Sequence, residues 1–160
     1  MAEFTLRKAT EADVGLVLHF IKGIAEYEKM SEQVVNTEEM LNEWMFERKL
    51  VEVLIAEEDG RPIGFALYFQ NYSTFVGRAG LYLEDLFIEP AYRGKGYGKR
   101  ILKRLAEIAV ERGCKRMEWV CLDWNAPSIA FYKKLGAVPL DEWTTFRLTG
   151  EALEKLGSKE

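Results

Sequence analysis

The run Tyr92-Arg93-Gly94-Lys95-Gly96-Tyr97-Gly98-Lys99-Arg100 constrains this chain more than any other stretch. The apolar segment Leu81–Ile88 before it reads as a strand closed by Pro90, and an amphipathic helix begins after it at Lys99. A glycine-rich turn at such a junction leaves backbone N–H groups unsatisfied at a helix N-terminus, where the dipole favours an anion. Arg93, Lys95, Lys99 and Arg100 surround the turn, so the local expectation is a phosphate or pyrophosphate site. Spacing excludes two common phosphate motifs. A P-loop needs Gly-x-x-x-x-Gly-Lys-Ser/Thr, whereas Gly98-Lys99 is followed by Arg100. A dinucleotide fingerprint needs Gly-x-Gly-x-x-Gly, and its third glycine would fall on Lys99 or Ile101.

Charge narrows the ligand. Nine basic residues between Arg93 and Arg116 stand against only Glu107 and Glu111, so with a net charge of −4 the remainder of the chain carries about −11. One region suits an anion and the rest suits a cation, which argues against a nucleic-acid duplex lying across the surface. The 160 residues fit a single domain, 1–160, around one core. His19 is the only histidine, read as an ordinary helix position, and Cys114 and Cys121 lack metal-ligand spacing. No metal is expected. The N-terminus lacks the pattern of a signal peptide and no apolar run reaches membrane length, so a cytoplasmic protein independent of membranes is expected.

The order of elements gives the fold class. Phe4–Arg7 reads as a strand, and Thr10-Glu11-Ala12-Asp13 has the capping-box pattern of a helix that runs through Val14, Val17, Phe20, Ile21 and Ile24. Thr37 caps a second helix through Leu41 and Met45. Val51–Glu57, the turn Asp59-Gly60 and Pro62–Tyr72 form a hairpin, and Leu81–Ile88 follows as the next strand. After helix Lys99–Arg112 come a strand Met117–Leu122, a helix capped by Asn125 or Asp123 with Pro127 in its first turn, strand material over Ala137–Leu148 and a short helix Glu151–Leu156. This is an α/β domain with a mixed sheet, not a doubly wound one.

The hexad Arg93-Gly94-Lys95-Gly96-Tyr97-Gly98 fits Arg/Gln-x-x-Gly-x-Gly/Ala. With the Leu-Tyr-Leu-Glu-Asp-Leu-Phe-Ile strand before it and Asn125…Phe131-Tyr132-Lys133-Lys134-Leu135-Gly136 after it, it resembles the GNAT superfamily of N-acetyltransferases. Within that superfamily the chain is similar almost end to end to the diamine acetyltransferase group, which comprises spermidine/spermine N-acetyltransferase and its thialysine-acetylating relative. The matching stretches include Arg7-Lys8-Ala9-Thr10, Tyr27-Glu28, Tyr82-Leu83-Glu84-Asp85 and Asp123-Trp124-Asn125. The resemblance implies a central, mostly antiparallel sheet flanked by helices, acetyl-CoA as co-substrate and a homodimer. It also implies site residues. The backbone of Leu86, Phe87 and Ile88 would hold the pantetheine arm, and Arg93, Gly94, Lys95, Gly96, Tyr97, Gly98 and Lys99 the pyrophosphate. Asn125, Pro127 and Ser128 would lie beside the cofactor. Tyr27, Glu28, Glu84 and Asp85 would face the acceptor amine, with Glu84 as base or water-positioning carboxylate and Tyr132 as the acid for the departing thiolate. The chain departs from the polyamine enzyme at Ser73-Thr74-Phe75, where that enzyme carries an aspartate and a tryptophan.

Residue physics supports a role for Glu84. A regular strand would put Tyr82, Glu84, Leu86 and Ile88 on one face and Leu81, Leu83, Asp85 and Phe87 on the other. Each face then carries one carboxylate in an apolar row, and burying an unpaired carboxylate costs several kcal/mol. Neither acid is there for packing; the alternatives are that both are salt-bridged or that a bulge opens the strand. Amine acetylation explains them: with a pKa near 10.4, only about 1 amine in 2500 is neutral at pH 7, a selection of roughly 4.6 kcal/mol that an acidic, desolvated site helps offset. On spacing alone, Tyr132 equally suits core packing beside Phe131 and Leu135. Three readings stay open: an N-acetyltransferase of small cationic amines, an acetyltransferase of protein or peptide amines, and a non-catalytic CoA-binding module.

Overall fold

A computed structural model describes residues 1–159 as two compact units, Met1–Val120 and the segment from Cys121 onward. The first is built on a five-stranded sheet whose strands lie in chain order: β1 (Phe4–Lys8), β2 (Glu52–Glu58), β3 (Arg61–Ser73), β4 (Arg78–Ile88) and β5 (Met117–Glu118). The first four are antiparallel and β5 is parallel to β4, so the mixed, mostly antiparallel sheet is as expected. The β2–β3 hairpin turns at Asp59 and Gly60, both with positive φ (50° and 81°), the conformation of a type I′ turn that matches strand twist. The Met117–Leu122 strand is shorter than its apolar run, because β4 pairs with it only at Leu81 and Tyr82.

One face of the sheet is covered by α1 (Val14–Tyr27) and α2 (Glu38–Asn42), which runs on into a π-helical turn, Glu43–Glu47. Val17, Phe20, Leu41 and Met45 pack there with Val53, Ile55, Phe65, Leu67 and Phe87. Buried side chains of this size each contribute about 1.5–3 kcal/mol, so this cluster supplies a large share of the stability of the unit. On the opposite face lie Leu54, Ala66, Tyr68, Leu81 and Leu83, and α3 (Tyr97–Glu111) buries Ile101, Leu102, Leu105, Ile108 and Ala109. α3 starts two residues earlier than expected, since Gly96 takes the N-cap position and Gly98 enters the first turn.

Local signals do what their chemistry predicts. The buried Asp13 carboxylate accepts from the Thr10 N–H at 2.7 Å and from both terminal nitrogens of Arg7, at 2.8 and 3.0 Å. Arg7, with the help of the Thr10 bonds, holds the Asp13 carboxyl down to about 2. The helical start is thereby riveted to β1. Thr37 Oγ1 accepts from the Met40 N–H at 3.1 Å and caps α2. No helix among the described residues is long and apolar enough to cross a membrane.

The second unit contains α4 (Ala126–Lys134) and α5 (Gly150–Leu156). The strand expected over Ala137–Leu148 does not form. Val138, Leu140, Trp143, Phe146 and Leu148 are exposed there, and no strand occurs among the described residues of this unit. Apolar, β-prone residues make a strand only where an edge accepts their hydrogen bonds.

Candidate active site

The pairing of β3 with β4 contains one irregularity. Leu67 pairs with Asp85 and Tyr68 with Leu83, so Glu84 is passed over and bulges out of the ladder. Directly paired residues share a face, and the bulge therefore exchanges the faces of β4 at its midpoint. Leu86 and Ile88 join Leu81 and Leu83 on the side of Tyr68, whereas Asp85 and Phe87 join Tyr82 on the side of Leu67 and Phe65. Of the alternatives the sequence leaves open, the bulge is the one that forms, and it corrects the regular alternation: Glu84 does not share a packed face with Leu86 and Ile88. It is exposed. Beyond Tyr82, β4 has no strand partner on its β5 side among the described residues, which leaves the backbone of Leu86–Ile88 outside the ladder along that edge.

Asp85 sits half-buried on the α1 side with no cationic partner among the described residues. Burial above all, and then the negative charges of Glu84 and Glu28, push its carboxyl up to about 6. Glu28 is the C-cap residue of α1, and burial raises its carboxyl too. α1 reaches this position because it lies very close to β4: a Cβ on Gly23 would stand 2.6 Å from Cζ of Phe87. One helical turn further on, Tyr27 brings its ring under the Arg93 guanidinium, 5.5 Å from its centroid, and the same guanidinium lies 5.3 Å from the Phe87 ring. Tyr27, Glu28, Glu84 and Asp85 are thus brought together where α1 ends over the middle of β4.

The glycine loop follows directly. Gly94 and Gly96 have φ of 79° and 80°, a left-handed conformation costly for any other residue, and a Cβ added at Gly94, Gly96 or Gly98 would meet nothing within 4 Å among the described residues apart from its own chain neighbours and local helix backbone. The Arg100 N–H bonds back to the Gly96 carbonyl at 3.2 Å, and no side chain caps α3. The N–H groups of Tyr97, Gly98 and Lys99 therefore form the unsatisfied first turn of a fifteen-residue helix, in an open cradle. This donor set fits a pyrophosphate.

The basic side chains contribute less directly than their positions suggest. Arg93 Nε donates to the Ile88 carbonyl at 2.8 Å, Lys95 Nζ donates to Glu58 at 2.9 Å, and Arg100 lies over the Phe4 ring at 4.7 Å. Lys99 is exposed. Tyr97 is buried with its O–H donating to Glu58, so only its backbone faces the cradle. Glu58 had no signal in the sequence. It reaches the loop from the end of β2, 37 residues away from Lys95.

The remaining predicted residues belong to the second unit. Asn125 Oδ1 accepts from the Ser128 N–H at 3.4 Å, capping α4 with Pro127 in its first turn as expected. Ser128 and Tyr132 are one turn apart on the same side of α4. Tyr132 is half-buried, its ring 5.6 Å from that of Phe131.

The chain and its fold match known proteins. Residues 21–137 match the acetyltransferase (GNAT) family. The chain is 42% identical to thialysine N-epsilon-acetyltransferase of Sus scrofa, over 99% of this chain and all of that one. It is 43% identical to the L-ornithine N5-acetyltransferase of Arabidopsis thaliana, over 68% of this chain and 44% of that protein. Among solved structures, an integron cassette protein from the mobile metagenome of V. cholerae superposes with a TM-score of 0.81 at 28% identity, covering 98% of both chains.

Proposed function

The chain belongs to the acetyltransferase (GNAT) family and is an N-acetyltransferase, and from this we propose that it moves the acetyl group of acetyl-CoA directly onto the primary amine of a small cationic acceptor. The acceptor class is a diamine, a polyamine or a lysine-like amino acid such as thialysine. The observation that carries this reading is the half-buried Asp85, set between Glu84 and Glu28 with no cationic partner among the described residues. A cationic acceptor supplies the missing charge. Relatives of almost equal length are named for thialysine, and another is named for ornithine, both small amino acids with a side-chain amine. The non-catalytic alternative gives way to an enzyme, and a peptide acceptor has no feature of the site in its favour.

The residues present fit acetyl-CoA. The N–H groups of Tyr97, Gly98 and Lys99, with Gly94, Lys95 and Gly96 shaping the turn, would hold the pyrophosphate. The free edge of Leu86, Phe87 and Ile88 would pair with the pantetheine amides, and Asn125, Pro127 and Ser128 would lie beside it. Arg93 shapes this region by binding the Ile88 carbonyl. Acetyl-CoA supplies an acetyl group activated as a thioester. Glu84, exposed at the bulge, accepts the proton of the acceptor ammonium, directly or through water. Asp85 and Glu28 hold the cation in place, with Tyr27 beside them. Tyr132 donates a proton to the departing sulfur, since a phenol is neutral at pH 7. Residues 1–160 act as one acetyltransferase domain, in a cytoplasmic homodimer that binds neither nucleic acid nor membrane. Cys114 and Cys121 form no disulfide among the described residues, which suits a reducing compartment.

A thiol-release assay with acetyl-CoA against thialysine, lysine, ornithine, putrescine, spermidine and small peptides tests the reading. Thialysine or another small amine is the expected preferred acceptor; preference for peptides, or no thiol release with any acceptor, refutes it. Glu84→Gln and Tyr132→Phe should each lower kcat by about 100-fold, the usual weight of general acid–base help, with CoA affinity unchanged.

A further inference from the structure

We infer that Glu58 is a positioning residue for the anion cradle, fixing the glycine loop in the shape that receives the cofactor's pyrophosphate. The inference rests on the acetyl-CoA reading of that loop. A single carboxylate oxygen of Glu58, Oε2, accepts both from Lys95 Nζ at 2.9 Å and from the Tyr97 O–H. The two donors flank Gly96, the left-handed corner at which the loop turns into α3. Glu58 therefore fastens the loop on both sides of its corner.

The anchor is itself held. The Glu58 side chain is only 12% exposed at the end of β2, and its cross-strand partner on β1 is Phe4. The Phe4 ring stacks on Tyr97 at 4.2 Å, and Arg100 covers Phe4. The first turn of α3 is thus gripped by its phenol ring and by its hydroxyl. The Tyr97 and Lys95 donors keep the Glu58 carboxyl below the usual carboxylate range, and the Glu58 bond raises the Tyr97 phenol, so the bond persists through neutral pH.

The sign of the charge separates positioning from attraction. Glu58 places a negative group inside a basic loop and occupies one of its lysines. For a residue that recruits an anion this is the wrong charge. For one that orders N–H donors beside two flexible glycines it is useful, because a loop already held in its bound form loses less entropy on binding.

CoA binding by the full chain, with initial rates at varied acetyl-CoA and varied thialysine, tests this. Glu58→Ala should raise the Kd of CoA and the KM of acetyl-CoA about 10-fold, the weight of one charge-assisted hydrogen bond, with kcat and the acceptor KM within about 2-fold. Glu58→Gln, whose amide oxygen still accepts from Tyr97, should recover most of the loss. Tyr97→Phe keeps the ring on Phe4 and should weaken CoA in the same direction, with no further effect in the Glu58→Ala background. If Glu58→Ala fails to fold, Tyr97→Phe and Glu58→Gln decide. Unchanged or tighter CoA binding in folded variants, or an equal rise in the acceptor KM, overturns the inference and leaves the cofactor assignment standing. A wild-type chain that does not bind CoA overturns both.

Discussion

Replacing Asp85 by Asn should make the free protein more stable at neutral pH while impairing it as an enzyme. The Asp85 carboxyl is raised from an ordinary 3.8 to about 6 in the folded chain, mainly by burial and secondarily by Glu84 and Glu28. A raised carboxyl is the unusual case, so the sign matters. Between about pH 3.8 and 6 the folded state binds more protons than the unfolded state, and stability falls as pH rises through that window. Above it, ionised Asp85 costs the fold about 3 kcal/mol, the product of the shift and 1.36 kcal/mol per pH unit. The stability of Asp85→Asn minus that of the wild type should accordingly grow by about 3 kcal/mol from pH 3.5 to pH 7.5. The amide's own packing is the same at both ends and drops out of this difference. Urea unfolding of both proteins across that range measures it. In parallel, wild-type kcat/KM for the acceptor should rise with pH through about 6 as the carboxylate forms, and the variant should lack that rise and show a higher acceptor KM. A pH-independent stability difference would refute the reasoning. So would an acceptor KM untouched by the substitution.

Two further outcomes concern the frame around the site. Asp13 is the opposite case: its carboxyl lies at about 2, so its contribution of about 2.4 kcal/mol is complete above pH 3.8 and is lost as pH falls through 2. Asp13→Asn should remove about that much at pH 7 and flatten the acid limb of the stability profile, measured by denaturant titration. Gly96→Ala meets no atom but must adopt φ near 80°, so it should cost about 1–2 kcal/mol of conformational strain and weaken CoA in equilibrium binding.

Much of this molecule is legible locally. The Asp59-Gly60 hairpin, the Thr10–Asp13 box, the Thr37 cap and the Asn125 cap each depend on neighbours a few residues away, and each forms as its side chains dictate. What escapes the sequence is set by pairing across the fold. A bulge in β4 is an alternative the sequence offers, but its place at Glu84 is fixed by β3, where Tyr68 pairs with Leu83 while Leu67 pairs with Asp85. The same limit hides Glu58 and turns Lys95 and Arg93 from free cations into tethered ones. Between Ala137 and Leu148 the composition favours a strand but names no edge to complete it, and the segment stays irregular.

The bulge has one more consequence. β3 pairs with every residue of β4 from Arg78 to Ile88 except Glu84, and each neighbour keeps the face it would have in an uninterrupted ladder shorter by one residue. The scaffold would be complete without this position. In a chain where nearly every strand residue is answerable to a partner, Glu84 answers to none, which leaves its identity open to selection by chemistry alone.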